Sequence, residues 1–170
     1  MPRGILNTEI PFAVCFLDMV FIVTKYSFHN AKNGGGKNTI KAANDPNITV
    51  HLEDANIEND GDNKYHNNAY GDHIVYWDPT TGLKLTNGGY QSAATILEHE
   101  FDHAVDDITN RSNHRKAEDK KLSRYDNAEE KRVIEGSEAR TAKGNGEGVR
   151  HNHRGTKYPT ISPTSIKPKK

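Results

Sequence analysis

The stretch His99-Glu100-Phe101-Asp102-His103 constrains this chain more than any other. Residues at i and i+4 of a helix lie one above the other on the same face. Two imidazoles so spaced therefore meet at one point only if the segment is helical. The flanking sequence predicts that helix over residues 92–108. Ser92 follows a Gly88-Gly89 turn and is a good N-cap. Ala94, Leu97, Phe101, Ala104, Val105 and Ile108 recur at helical spacing. That stripe packs on a core, while His99 and His103 fall on roughly the opposite side, as suits the floor of a cleft. With nine histidines in 170 residues the motif alone is weak evidence. Motif, helix and face separation together mark a site.

Two neutral imidazoles there can bind one Zn²⁺, and Glu100 can take the proton of a metal-bound water. Catalytic zinc sites usually use three protein ligands and leave one position to water. The extended pattern HExxHxxGxxH is excluded, because Asp106 and Thr109 stand where it needs glycine and histidine. The other common source of a third ligand is a glutamate on a following helix, and Asn127-Ala128-Glu129-Glu130-Lys131-Arg132-Val133-Ile134 supplies two. Asp126 reads as the N-cap, with Glu129 three residues on in a capping-box-like pair. Glu130 is then free to face the metal and is the expected ligand, with Glu129 as the alternative. Asp106, Asp107 and His114 are weaker candidates, Asp107 as an acceptor that orients an imidazole.

A single cysteine, Cys15, excludes an intrachain disulfide and a cysteine zinc site, so any metal is held by His, Asp or Glu. Only 33% of residues are hydrophobic, which implies long loops or disordered ends. The net charge is +0, yet residues 45–78 are acidic and the chain from Arg140 onward is basic. Residues 10–23 are the most apolar run. They are too short for a membrane span, carry Asp18, and lack the basic start and small-residue cleavage site of a signal peptide. A core strand or a segment that packs poorly alone fits better. Residues 27–47 read as a flexible linker, because Gly34-Gly35-Gly36-Lys37 lacks the spacing of a phosphate loop. Strands are expected at residues 48–53 and 73–77, with Leu83-Lys84-Leu85 pairing back as a third. Residues 109–116 read as a loop, 117–123 as a short helix, and 126–143 as a helix weakened at Gly136. Three regions follow: an N-terminal apolar segment and polar linker (1–47), a metallopeptidase domain (48–143), and a basic, disordered tail (144–170).

Strand, strand, metal helix, second helix is the chain order of the zincin peptidases, in which the last strand before the helix often lies along the cleft edge and can accept an extended peptide. Several stretches together resemble the effector-type zinc metallopeptidases. They are Val75-Tyr76-Trp77-Asp78-Pro79, Thr86-Asn87-Gly88-Gly89-Tyr90-Gln91-Ser92, Ile96-Leu97-Glu98-His99-Glu100-Phe101-Asp102-His103-Ala104, and the Glu129-Glu130 helix. That family includes secreted bacterial effector proteases and the C-terminal toxin domains of Rhs-type polymorphic toxins. The resemblance spans roughly residues 73–165. It implies His99 and His103 as zinc ligands, Glu100 as catalytic base and Glu130 as third ligand. It also implies export from a bacterium to a target cell, a protein or peptide substrate, and an immunity protein as partner. The expected fold is α+β and zincin-like: a small antiparallel or mixed sheet packed on the HExxH helix and a Glu-bearing helix, with flexible termini, in a monomer.

The leading functional expectation is zinc-dependent endopeptidase activity, with Glu100 accepting the water proton and passing it to the leaving amine. His114, Tyr125, His151, His153 and Tyr158 are candidate oxyanion donors, and nothing in the sequence selects one. Two rival readings remain. One is nucleic-acid binding through Arg140, Lys143, Arg150, Arg154, Lys157, Lys167, Lys169 and Lys170. This tail has Tyr158 as its only aromatic and carries no binding motif. The other is an inactive zincin-like module that holds peptide, against which the intact His99, Glu100 and His103 argue.

Overall fold

A computed structural model describes residues 26–58 and 61–170. The apolar run at 10–23 and Cys15 lie outside the described residues. The architecture is mixed α+β. In chain order it runs α1 (residues 26–32), α2 (Lys37–Asn44), β1 (His51–Asp54), α3 (Ala55–Glu58), β2 (Lys64–Asn67), β3 (His73–Trp77), β4 (Thr81–Leu85), β5 (Tyr90–Gln91), α4 (Ala93–Asp119), β6 (Lys121–Leu122), β7 (Asp126–Asn127), α5 (Ala128–Val133), a π-helical turn (Ile134–Glu138), α6 (Ala139–Gly144) and β8 (Gly155–Pro159). Among the described residues no helix is long and apolar enough to cross a membrane.

The first sheet has the order β1-β3-β2. β3 pairs in parallel with β1, placing Leu52 opposite Val75, and antiparallel with β2, placing Tyr65 opposite Val75. The second sheet has the order β5-β4-β8. Leu83-Lys84-Leu85 therefore pairs with β5 and β8, not back onto β3 as its sequence neighbourhood suggested.

The core lies between the first sheet and α4. Val75, Trp77, Ala93, Leu97, Phe101 and Ala104 form one buried cluster, flanked by Tyr26, Ala42, Val50, Leu52 and Tyr65. Val75 and Trp77 alternate along β3, so they point to the same face. Leu97, Phe101 and Ala104 stand three and four apart on α4, as the stripe predicted. Burying Trp77 requires a partner for its indole N–H, and Ala93 O accepts it at 2.8 Å.

α4 begins where expected. Ser92 is extended, and its hydroxyl accepts from Thr95 N at 3.4 Å. The helix then runs on to Asp119, bending at Asn110, where the sequence reading placed a loop and a separate short helix. Polar composition alone could not decide this, because α4 beyond Asn110 is exposed over much of its surface yet keeps its backbone bonds.

Two further expectations are corrected. Residues 27–47 are not a linker. They form α1 and α2, and Glu98 of α4 caps α2, accepting from Asn38 N at 2.8 Å and Thr39 N at 3.1 Å. Gly36 takes φ +67° at the α2 N-cap, and a Cβ on Gly35 would fall within 2.8 Å of Thr141 backbone and side-chain atoms. The glycines thus serve a tight turn and a close approach, which in sequence look the same as flexibility. Residues 144–170 are not a disordered tail either. β8 pairs with β4 along its length, and Pro163 O accepts Ala94 N at 2.8 Å in the first turn of α4. Burial of a few key groups, rather than overall composition, orders this segment.

Trp77→Ala should cost about 3–5 kcal/mol of folding stability, read as a lower denaturant midpoint. The buried Asp78 carboxylate accepts Thr80 N at 2.8 Å and Thr80 Oγ1 at 2.7 Å. Burial opposes its ionisation, but the hydrogen bonds from Thr80, Thr81 and Asn56 outweigh burial and lower its pKa. A lowered carboxylate pKa stabilises the fold above the ordinary value of about 3.9, and that stability fades as pH falls through the folded value. Asp78→Asn should therefore flatten the acid limb of a stability–pH curve.

Candidate metal centre

One face of α4 packs on the sheet, and the other presents His99 and His103 to α5 and the π turn. Their Nε2 atoms lie 3.1 Å apart. Glu130 Oε2 is 3.3 Å from His99 Nε2, and Glu130 Oε1 is 3.4 Å from His103 Nε2. Zinc ligands about 2.0–2.1 Å from the ion in tetrahedral array stand about 3.3 Å apart. Each spacing taken singly is close to one edge of such an array, and the two histidines meet different oxygens of Glu130. Glu130 Oε2 is buried and accepts no hydrogen bond from a described residue. A buried carboxylate oxygen facing bare imidazole nitrogens is a costly arrangement unless a cation or proton joins them.

The remote ring nitrogens are also held. His99 Nδ1 is 2.7 Å from Glu138 Oε2, and His103 Nδ1 is 3.1 Å from Glu129 Oε1. A carboxylate only accepts, so Nδ1 carries the proton in each ring and deprotonation bares the Nε2 lone pair. Arg150 Nη2 lies 3.0 Å from His99 Nδ1, but both are donors and both serve Glu138. The surrounding carboxylates favour the protonated form of both rings. Burial alone would lower the His103 pKa, yet Glu129 and Glu130 push it up to about 10. His99 is raised against burial by Glu130 and Glu138. Glu130 is held far below the usual carboxylate range, His103 and His99 outweighing its burial.

The Glu129–Glu130 pair divides its work differently from the capping-box expectation. Asp126 is not the N-cap: its φ is +68°, and Asn127 caps α5 by accepting Glu130 N at 2.8 Å. Glu129 therefore does not cap. It faces His103 Nδ1 and also takes Arg132 Nη2 at 2.6 Å and Arg132 Nε at 2.8 Å. Among the described residues, Glu130 alone reaches both Nε2 atoms.

Glu100 lies beside the site, 7% exposed, with Oε2 accepting Tyr65 N of β2 at 2.7 Å. The strand that holds Glu100 is thus β2. Asp107 does not orient His103. Its Oδ2 accepts Tyr65 Oη at 2.6 Å and Asn67 Nδ2 at 2.7 Å. Asp106 and His114 pair with each other at 3.1 Å, and His114 reaches Glu129 at 3.2 Å. Asp106, His114 and Glu129 also cluster closely enough to hold a cation, but Arg132 already places its positive charge on Glu129 and 3.9 Å from Asp106.

Sequence reasoning missed Glu138, Arg150 and the placement of His153. Glu138 is 1% exposed and takes Arg150 Nε on both oxygens at 2.8 Å and Gln91 Nε2 at 2.8 Å. Of the candidate donors His114, Tyr125, His151, His153 and Tyr158, His153 brings its Nε2 to 3.3 Å from Glu130 Oε2. Tyr125 Oη donates to Glu135 at 2.8 Å, and Tyr158 Oη points to Gln91 O at 3.5 Å. Two cations assigned to nucleic-acid contact are engaged within the chain, Arg150 on Glu138 and Lys157 on Asp62.

No protein-family model, curated protein or solved structure matches the chain.

Glu138→Gln should leave the Arg150 guanidinium buried without its anion. Loss of one partner from a buried pair costs about 3–5 kcal/mol. Thermal melts of metal-free protein should show it, and a melt equal to wild type would mean that Arg150 finds water instead.

Proposed function

We propose that this chain is a zinc-dependent peptidase with a zincin-like site, in which His99, His103 and Glu130 hold the ion and Glu100 is the general base. The reading rests on one observation. Two Nε2 atoms and the oxygens of one half-buried carboxylate lie 3.1–3.4 Å apart in pairs, and one of those oxygens is buried with no hydrogen bond from a described residue. The donor set of two imidazoles and a carboxylate suits zinc and leaves a coordination position in a tetrahedral site. A zinc ion held there supplies Lewis acidity toward a scissile carbonyl and lowers the pKa of a water toward neutrality.

The remaining work falls to the protein's own side chains. Glu138 and Glu129 fix the rotation and tautomer of His99 and His103, and Arg150 and Arg132 fix those carboxylates in turn. The Tyr65 N–H holds Glu100 by one oxygen, which leaves the other to take a proton and return it to the leaving amine. β2 has β3 on one edge and Glu100 at the other, so an extended peptide beside β2 would lie across the base. A bacterial effector or toxin delivered to a target cell, with an immunity protein, is the biological setting that this reading favours.

Metal analysis of the purified chain should give about one zinc per chain, and a chelator should abolish hydrolysis of a peptide library, with zinc restoring it. Glu100→Gln should retain zinc and lose about 10²–10⁴-fold in rate. Full activity in Glu100→Gln, or hydrolysis indifferent to the chelator, would sink the proposal.

A further inference from the structure

His153 lies on a short strap, residues 149–154, between α6 and β8. Its ring follows the same pattern as the two helix histidines. Nδ1 is 2.6 Å from Asp126 Oδ2, and Nε2 is 3.3 Å from Glu130 Oε2. Because Asp126 only accepts, the neutral ring keeps its proton on Nδ1 and turns a lone pair toward Glu130. The ring stacks on His99 with centroids 6.3 Å apart and planes 9° from parallel. The ligand atoms of His99, Glu130 and His153 all lie within 4.8 Å of one another, a group that does not include His103, so the rings of His103 and His153 must draw together for all four residues to hold one ion. The strap is anchored on each side of the ring. Arg150 is buried on Glu138, His153 N donates to Arg124 O at 3.0 Å, and Asn152 Nδ2 donates to Thr86 Oγ1 at 2.8 Å. Asp126 holds its left-handed φ of +68° where its carboxylate meets this ring.

We infer that His153 is a fourth protein ligand of the same metal, so that the resting site carries three imidazoles and Glu130, and the strap caps it. This rests on the reading of His99, His103 and Glu130 as metal ligands. Hydrolytic zinc sites leave the fourth position to water, whereas four protein ligands make a closed site. His153 fills that fourth position. It is also the only one of the three imidazoles borne by a loop, and its ring is 33% exposed, against 3% and 8% for His99 and His103. It is therefore the ligand that can leave, and substrate entry requires the strap to carry it away.

X-ray absorption on the zinc-loaded full-length chain counts imidazoles directly. Three in wild type falling to two in His153→Ala, with zinc affinity down at least about tenfold, is the expected result. Asp126→Asn, which loosens the ring without removing it, should lower affinity about 10-fold or more while thermal melts stay cooperative. Two imidazoles in both wild type and His153→Ala, with kcat reduced in the variant, would overturn the inference and make His153 a hydrogen-bond donor to substrate. A wild-type chain that binds no zinc would overturn the peptidase reading itself, and this inference with it.

Discussion

α4 buries Glu98, His99, Glu100, Asp102, His103, Asp107 and His114 within a single helix. An ionisable group taken out of water costs several kcal/mol unless it is paired and hydrogen-bonded. The remainder of the fold meets that cost from many directions. The α2 amides receive Glu98, β2 receives Glu100 and Asp107, and Arg132 with Ser137 receives Asp102. Glu129, Glu130 and Glu138 receive the histidines. Loss of any one of these elements leaves a buried charge on α4 without its partner, so the elements are mutually dependent although they come from separate parts of the chain.

The segment from Ala128 to Gly144 carries much of this load. A regular α-helix there would repeat its faces every 3.6 residues. The π turn at Ile134–Glu138 widens one turn around Gly136, and single wide turns of this kind often occur at functional sites. It lets Glu129, Glu130, Ser137 and Glu138 all address the same face of α4. Gly136 read as a weak point in the sequence. In the structure it lies in the turn that sets the register of the carboxylates.

The same logic explains the C-terminal segment. It is rich in charge and poor in apolar side chains, so composition argued for disorder. Arg150 is nevertheless 9% exposed and paired with a carboxylate that is 1% exposed. One such pair, together with the β4–β8 ladder, orders the segment and brings a third imidazole to Glu130. Polar segments fold when their polar groups have buried partners, and that is a property of the neighbours rather than of the segment.

What the sequence determined by itself was local. The HExxH spacing, the Ser92 cap and the apolar stripe of α4 depend on residues within a turn or two of one another, and helical periodicity makes them readable. The choice of Glu130 over Glu129 was read from an N-cap at Asp126, and the cap proved to be Asn127. The cap therefore does not explain why Glu130, and not Glu129, lies beside both Nε2 atoms. Tertiary structure alone decided the partners separated by long stretches of chain: Glu98 on α2, Glu100 on β2, His99 on Glu138 and Arg150, and His153 on Glu130. Those pairings satisfy charges and hydrogen bonds across space, and no periodicity within a window of sequence records which distant group will be brought to hand.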